Sequence, residues 1–222
     1  MSKPALPSPK APARKGRGGR PSAGDAAKIE SRILDAARDL FFEQGYGAFS
    51  IETLAQRAHI SKRTFYARFK DKADVFRAVV HRLIEALRPP KGAAPPEEKN
   101  LEAALQNVAT LMLRASLSRH IISLQRLLLG EATRFPELAR AMDDEGARAE
   151  AISHISALLQ REARQKGYRL EDPAFAAEQF IVLTISAPQR RAMGLGKPFT
   201  ERELKDWPEK AVRLFLNGLW NE

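Results

Sequence analysis

Apolar residues recur every three or four positions through almost all of this 222-residue chain, and no stretch alternates convincingly with period two. The first spacing lays a stripe along one side of a helix; the second would line one face of a strand. The pattern predicts an all-α fold. One stretch cannot join it. Pro89 to Pro96 holds four prolines in eight residues, and each proline removes an amide that a helix needs and crowds the preceding turn. The chain is therefore expected to form a helical domain at 25–87 and another at 97–222, with enough residues to bury a sizeable core.

Charge divides along the same line. Residues 1–87 hold 17 Lys/Arg and 9 Asp/Glu, whereas residues 88–222 hold 20 and 18. The excess positive charge sits in the first part, and a polyanion is its natural partner. Residues 1–24 contain six Lys/Arg, five Pro, four Gly and no acid, a composition that cannot pack a core and reads as a disordered basic tail. Its end, "RKGRGGRP", resembles an AT-hook, in which Arg17 and Arg20 would reach the minor groove, with Gly19 interrupting the usual spacing. A purely solubilising tail accounts for the same composition. The absence of cysteine excludes disulfides, thiolate metal sites and cysteine nucleophiles. No apolar run reaches the ~18 residues of a membrane span, and the basic start lacks the apolar centre of a secretory signal. A soluble, cytoplasmic protein without cofactor or metal is the expectation.

Helix signals are frequent. Ile29, Ile33, Ala37, Leu40 and Phe41 form a stripe that Gly45 should stop. Ser50, Ser61 and Asp71 can cap three successive helices carrying Ile51, Leu54, Ala55 and Ala58, then Phe65 and Phe69, then Val75, Val79, Leu83 and Leu87. Farther on, Leu101 to Met112 and Ile121 to Leu128 are amphipathic, with a break at Pro136. Leu138, Met142, Ala149, Ile152, Ile155 and Leu159 suggest one long helix ending near Gly167, with "MDDEG" at 142–146 as a solvated face. Asp172–Pro173 marks a helix start, and Pro208 is expected to open the last helix.

The stretch "LAQRAHISKRTFYARF", Leu54 to Phe69, concentrates the functional signal. Two short helices joined by a three- or four-residue turn make a helix-turn-helix, whose second helix can enter the DNA major groove. Small Ala55 and Ala58 let the helices cross closely, and Ile60 should plug the core below the turn. Phe65 and Phe69, four apart, point inward, which leaves Lys62, Arg63, Tyr66 and Arg68 outside. Arg63 can bond a guanine edge bidentately, and Ser61 can donate to a phosphate after capping its helix. Solvated surface is the alternative for Lys62 and Arg63, and core for Tyr66. His59 falls in the break, where a tight turn between two helices often carries glycine; should the turn need positive φ, histidine tolerates it better than most non-glycine residues.

The run Ser50-Ile51-Glu52, Leu54-Ala55, Ala58, Ile60-Ser61, Thr64-Phe65-Tyr66, Phe69 and Lys72 resembles the TetR family of transcriptional regulators. The resemblance implies a three-helix reading head, a linking helix, and a helical domain that binds ligand and dimerises. It places Thr64, Tyr66 and Lys72 at phosphates and Lys62 and Arg63 near bases, with Ser50 and Arg68 on the same side; the family usually has glycine where this chain has His59. "LLLGEATRFPELARAM" and "DPAFAAEQF" resemble a recurring C-terminal domain of the family. By that resemblance Phe180, Leu183, Phe215 and Leu219 would form a homodimer seam. The Leu and Met stripes are core first and pocket second, with Leu105, Val108, Met112, Ile122, Arg126, Ile155 and Thr184 as the expected lining for an unknown small-molecule effector. The expected function is a ligand-responsive repressor bound as a dimer to a near-palindromic site in double-stranded DNA. An architectural DNA binder without effector is the alternative. An enzyme is not expected: His120 and His154 are isolated, and "GLGK" at 194–197 lacks the length and the Ser/Thr of a phosphate loop.

Overall fold

The computed structural model describes residues 23–88, 100–143 and 146–219, and all its regular elements are helices. The first four are α1 (Ala23–Ala48), α2 (Ile51–Arg57), α3 (Lys62–Tyr66) and α4 (Lys72–Glu85). Gly45 breaks α1 as expected, at φ 83° and ψ 165°, and a last helical turn follows it. The three expected caps form. Ser50, Ser61 and Asp71 accept the backbone N–H groups of Thr53, Thr64 and Asp74 at 3.1, 3.0 and 2.8 Å. Each satisfies a donor that helix geometry leaves over, worth about 1 kcal/mol. Between α1, α2 and α4, the rings of Phe41, Phe49 and Phe76 pack with centroids 4.6 and 5.2 Å apart from Phe41.

Six more helices follow: α5 (Leu101–Ser116), α6 (Arg119–Glu131), α7 (Pro136–Asp143), α8 (Ala147–Lys166), α9 (Pro173–Ala192) and α10 (Glu201–Leu219). Two expectations fail. The single helix from Leu138 to Leu159 is two, because Gly146 adopts the left-handed conformation at φ 64° and separates α7 from α8. Pro208 does not open the last helix but lies inside α10. That helix starts about two turns earlier, through a capping box: the Glu203 N–H donates to Thr200 Oγ1 and the Thr200 N–H to Glu203 Oε2, at 3.2 and 2.7 Å. The Thr200 N–H and the Thr200 hydroxyl, both donating to the Glu203 carboxylate, hold it below its ordinary range.

α9 also contains a proline, Pro188. With no N–H, Pro188 cannot bond the carbonyl of Thr184, four residues back. The Trp207 indole of α10 donates to that carbonyl instead, at 2.8 Å. The Asp172 cap expected at the start of α9 is present, with its carboxylate accepting the Phe175 N–H at 2.9 Å.

The apolar interior does not divide at the prolines. Ile121, Leu124 and Leu127 of α6 and Leu138 and Ala141 of α7 are buried in one cluster with the residues of α1 and α4. A second cluster joins α5, α8, α9 and α10 around Leu105, Ile155, Leu159, Phe180 and Val212. The proline stretch itself and the tail with Arg17 and Arg20 lie outside the described residues, as do Asp144 and Glu145. No helix among the described residues is long and apolar enough to cross a membrane.

Candidate nucleic-acid interface

The turn between α2 and α3 is set by backbone bonds. The Ile60 N–H donates to the Ala55 carbonyl at 2.9 Å and the His59 N–H to that of Gln56 at 3.1 Å. This pair is a Schellman ending, which requires a left-handed residue just past the cap. His59 supplies it at φ 51°, alone among the described non-glycine residues. The turn holds α3 against α2, with Phe65 and Phe69 buried beneath it as expected.

What remains outward on α3 is a short charged and aromatic face. Lys62, Arg63 and Tyr66 are exposed, Tyr66 at 57%, so its alternative as core is excluded. Lys62 is not free: its ammonium meets the Glu52 carboxylate of α2, which it holds below the usual carboxylate range. Arg63 makes no ion pair with the described residues and projects unengaged from the first turn. Nearby, Arg57 grips Glu43 of α1 through both guanidinium nitrogens, at 2.6 and 2.9 Å, and lowers that carboxyl too. Arg68 is half-buried and turns back to the Thr64 carbonyl at 3.4 Å. The hydroxyls of Ser50 and Ser61 are shared with those of Thr53 and Thr64, at 2.8 and 2.9 Å.

Lys72 sits differently from the surface cation expected. Its ammonium lies 4.4 Å from the ring centre of Tyr46, 5.3 Å from Phe49 and 5.9 Å from Phe135 of the α6–α7 connection. Burial among those rings lowers its pKa from the ordinary lysine value, against the opposing pull of Glu131 and Glu137. The sequence pattern gives no sign of this cage, since Lys72 and its rings come from three separate segments, 46–49, 72 and 135.

The rest of the expected sites scatter. Phe180 is fully buried inside its own protomer, its ring 5.0 Å from that of Phe215. Leu183, Phe215 and Leu219 are half-buried. The large apolar side chains that α9 and α10 expose are Phe175, Val182 and Leu214. A cavity of about 380 Å³ opens among α4 to α9, lined by Ile84, Leu87, Leu111, Met112, Ile121, Met142, Ile181 and Ile185, with Ser116, Gln189, Arg88, Arg148 and Glu150 as polar groups. Of the expected lining only Met112 faces it. Leu105, Ile155 and Thr184 are fully buried core, and Ile122 is buried. Val108 packs on the second cluster, and Arg126 donates to the Ala192 carbonyl at 3.2 Å. His120 stacks beside Phe42, and His154 is exposed.

Comparison with known proteins agrees with this arrangement. Residues 33–79 match the model of the bacterial regulatory proteins of the tetR family, and residues 103–218 that of the AefR-like transcriptional repressor C-terminal domain. The solved structure of a flavonoid-responsive regulator, FrrA, is similar at TM-score 0.69 and 29% identity, covering 86% of this chain and 97% of that one. The HTH-type transcriptional repressor ComR of Escherichia coli is 37% identical over 88 residues, 39% of this chain and 40% of ComR. An uncharacterized HTH-type transcriptional regulator of Mycobacterium bovis is 28% identical over 131 residues; the match spans 59% of either chain. With a reading head matched at its amino end and a repressor domain over more than half its length, the chain belongs to the TetR family of DNA-binding transcriptional regulators.

Proposed function

We propose that the protein is a ligand-responsive repressor that binds a near-palindromic operator as a homodimer. The observation that carries this is the outward face of α3: Arg63 stands unengaged beside exposed Tyr66, on a helix fixed by a Schellman turn and a serine cap. An arginine so placed can bond guanine O6 and N7 together. Lys62, tied to Glu52, holds α3 to α2 and adds positive field near the bases. Ser50, Ser61, Thr64, Arg68 and Lys72 flank phosphates, and Arg17 and Arg20 of the tail reach the groove or backbone.

Phe175, Val182 and Leu214 are the apolar groups that a partner copy would cover, together with the half-buried Leu183, Phe215 and Leu219. The cavity among α4 to α9 is of a size that holds a small apolar effector. A flavonoid is the first class to try, given the similarity to a flavonoid-responsive regulator.

Sequencing random duplexes retained by the purified protein tests the reading. A palindrome with half-sites about 34–36 Å apart, or at a similar spacing, is expected. Retention without any consensus would favour an architectural binder. Deleting residues 1–22 should flatten the salt dependence of log affinity by about 0.9 for each phosphate that the tail no longer neutralises.

A further inference from the structure

The turn that follows the Gly45 kink is held by side chains from a different part of the chain. Glu131, the last residue of α6, accepts the N–H of Tyr46 on one carboxylate oxygen at 2.8 Å and that of Gly47 on the other at 2.6 Å. The Tyr46 hydroxyl donates to Glu137 of α7 at 3.1 Å. The Lys72 ammonium reaches the Gly47 carbonyl at 3.4 Å while lying over Tyr46, Phe49 and Phe135. Glycine is needed at 45 for the carboxylate to come this close, and at 47 any larger residue would press on it. A Cβ on Gly45 would overlap Glu131 Oε1, and one on Gly47 would stand 3.3 Å from Glu131 Oε2 and from the Phe135 ring. Charge-assisted bonds to two adjacent amides are stronger than neutral ones and fix the geometry of both partners.

The two helices that carry this clamp also reach the cavity. Ile121, in the first turn of α6, and Met142, in the last turn of α7, line it. Glu131 closes α6, while Phe135 and Glu137 stand at the start of α7. From Ile121 to Glu131 the rise along the helix is about 15 Å. One end of the α6–α7 hairpin therefore touches the cavity and the other touches the base of the reading head, immediately before α2.

We propose that Glu131 is a positioning residue for DNA reading: its carboxylate sets how the head sits on the regulatory helices, and filling the cavity changes operator affinity by displacing the hairpin that carries it. The second half rests on the effector-cavity reading above; the first does not. Glu131→Gln keeps the shape, but its amide NH₂ faces one of the two N–H groups and loses that bond.

The test uses the full-length protein, the palindrome recovered by selection, and a duplex holding one half-site. Glu131→Gln should raise Kd for the palindrome about tenfold, a usual size for coupling between sites, and leave the half-site within about twofold. Amide exchange at Tyr46 and Gly47 should accelerate. Ala151→Trp, which fills the cavity from α8, should raise the palindrome Kd about tenfold in the wild type and under about twofold in the Glu131→Gln background. An unchanged palindrome Kd in Glu131→Gln, or an equal loss on both duplexes, overturns the positioning role. A cavity penalty carried in full by the double variant overturns the lever. If Ala151→Trp is harmless while Glu131→Gln still loses only the palindrome, the effector reading fails and the positioning role stands. Should Glu131→Gln not unfold cooperatively, Gly47→Ala repeats the comparison with every charge in place, since its methyl crowds the same carboxylate.

Discussion

The reading head and the α8–α10 region both start helices on caps three residues long and both close on phenylalanines, yet the bonds that shape what lies between the caps are written at different distances along the chain. In the head, the starts of α2, α3 and α4 are fixed by side chains three residues from the N–H they accept, at Ser50, Ser61 and Asp71. The turn before α3 is fixed within six residues, Ala55 to Ile60. In the second region, the carbonyl that Pro188 orphans is satisfied by Trp207, 23 residues beyond Thr184. The clamp that ties the head to α6 spans 84 and 85 residues, from Gly47 and Tyr46 to Glu131. Local instructions survive a change of partner or a rearranged core; distant ones hold only when the tertiary structure is complete.

The largest expected effect bears on what the second region's aromatic centre does. The family resemblance puts Phe180 in a dimer seam, but it is wholly enclosed by its own protomer. Phe180→Ala should cost about 3–5 kcal/mol, the usual loss for an emptied phenylalanine site. The loss should be the same at low and high protein concentration. Val182→Asp should do the reverse: little change in the protomer and weaker self-association, measured by sedimentation at several concentrations. A Phe180→Ala variant that unfolds normally but no longer dimerises would return this residue to the interface and erase the contrast.

Next in size is the proline-indole pairing. Trp207→Phe leaves the Thr184 carbonyl without its donor, and an unsatisfied buried acceptor costs about 1–3 kcal/mol. Pro188→Ala restores an N–H four residues beyond Thr184, so the two changes should not add. In a double-mutant cycle by chemical denaturation, Trp207→Phe should be nearly free in the Pro188→Ala background. Additive losses would show that the indole contributes only packing.

A comparable free energy, read as affinity, separates two neighbours on α3. Arg63→Ala should lose about 1–3 kcal/mol on the selected operator and little on a scrambled duplex. Lys62→Ala, whose ammonium is held by Glu52, should weaken both duplexes by similar factors. Equal behaviour of the two variants would remove Arg63 from base reading.

What could be read in advance follows the same division. The all-helical class, the three caps of the head, the positive φ at His59 and the outward side of α3 all depend on residues within about one turn of each other, and periodicity and capping rules see that range. Within that range the failures are instructive. The Thr200–Glu203 capping box is present in the sequence but is overshadowed by Pro208, a residue common at helix starts that here stands mid-helix. Gly146 is masked by an apolar stripe that continues in register on both sides of it. The Lys72 cage, the Glu131 clamp and the cavity lining have no local signature at all. Periodicity says that Leu105 and Ile155 are apolar-facing; it does not say whether that face meets a cavity or another helix.

The smallest expected effect tests the local side of the contrast at its most strained point. His59 stands at φ 51°, with its N–H and that of Ile60 closing the Schellman ending of α2. Glycine relieves the steric cost of that conformation in the folded state, but it also frees the unfolded chain, which opposes the gain by up to about 1 kcal/mol. The two contributions are similar, so His59→Gly should change stability by less than about 1 kcal/mol and keep DNA binding. His59→Val answers the same question from the other side, because a β-branched residue is a true outlier at positive φ and should be markedly less stable than either. Thermal unfolding of both variants is the measurement. If valine is tolerated as well as glycine, the turn takes its shape from the packing of Phe65 and Ile60 rather than from the residue at 59, and the head depends on distant contacts as much as the rest of the molecule does.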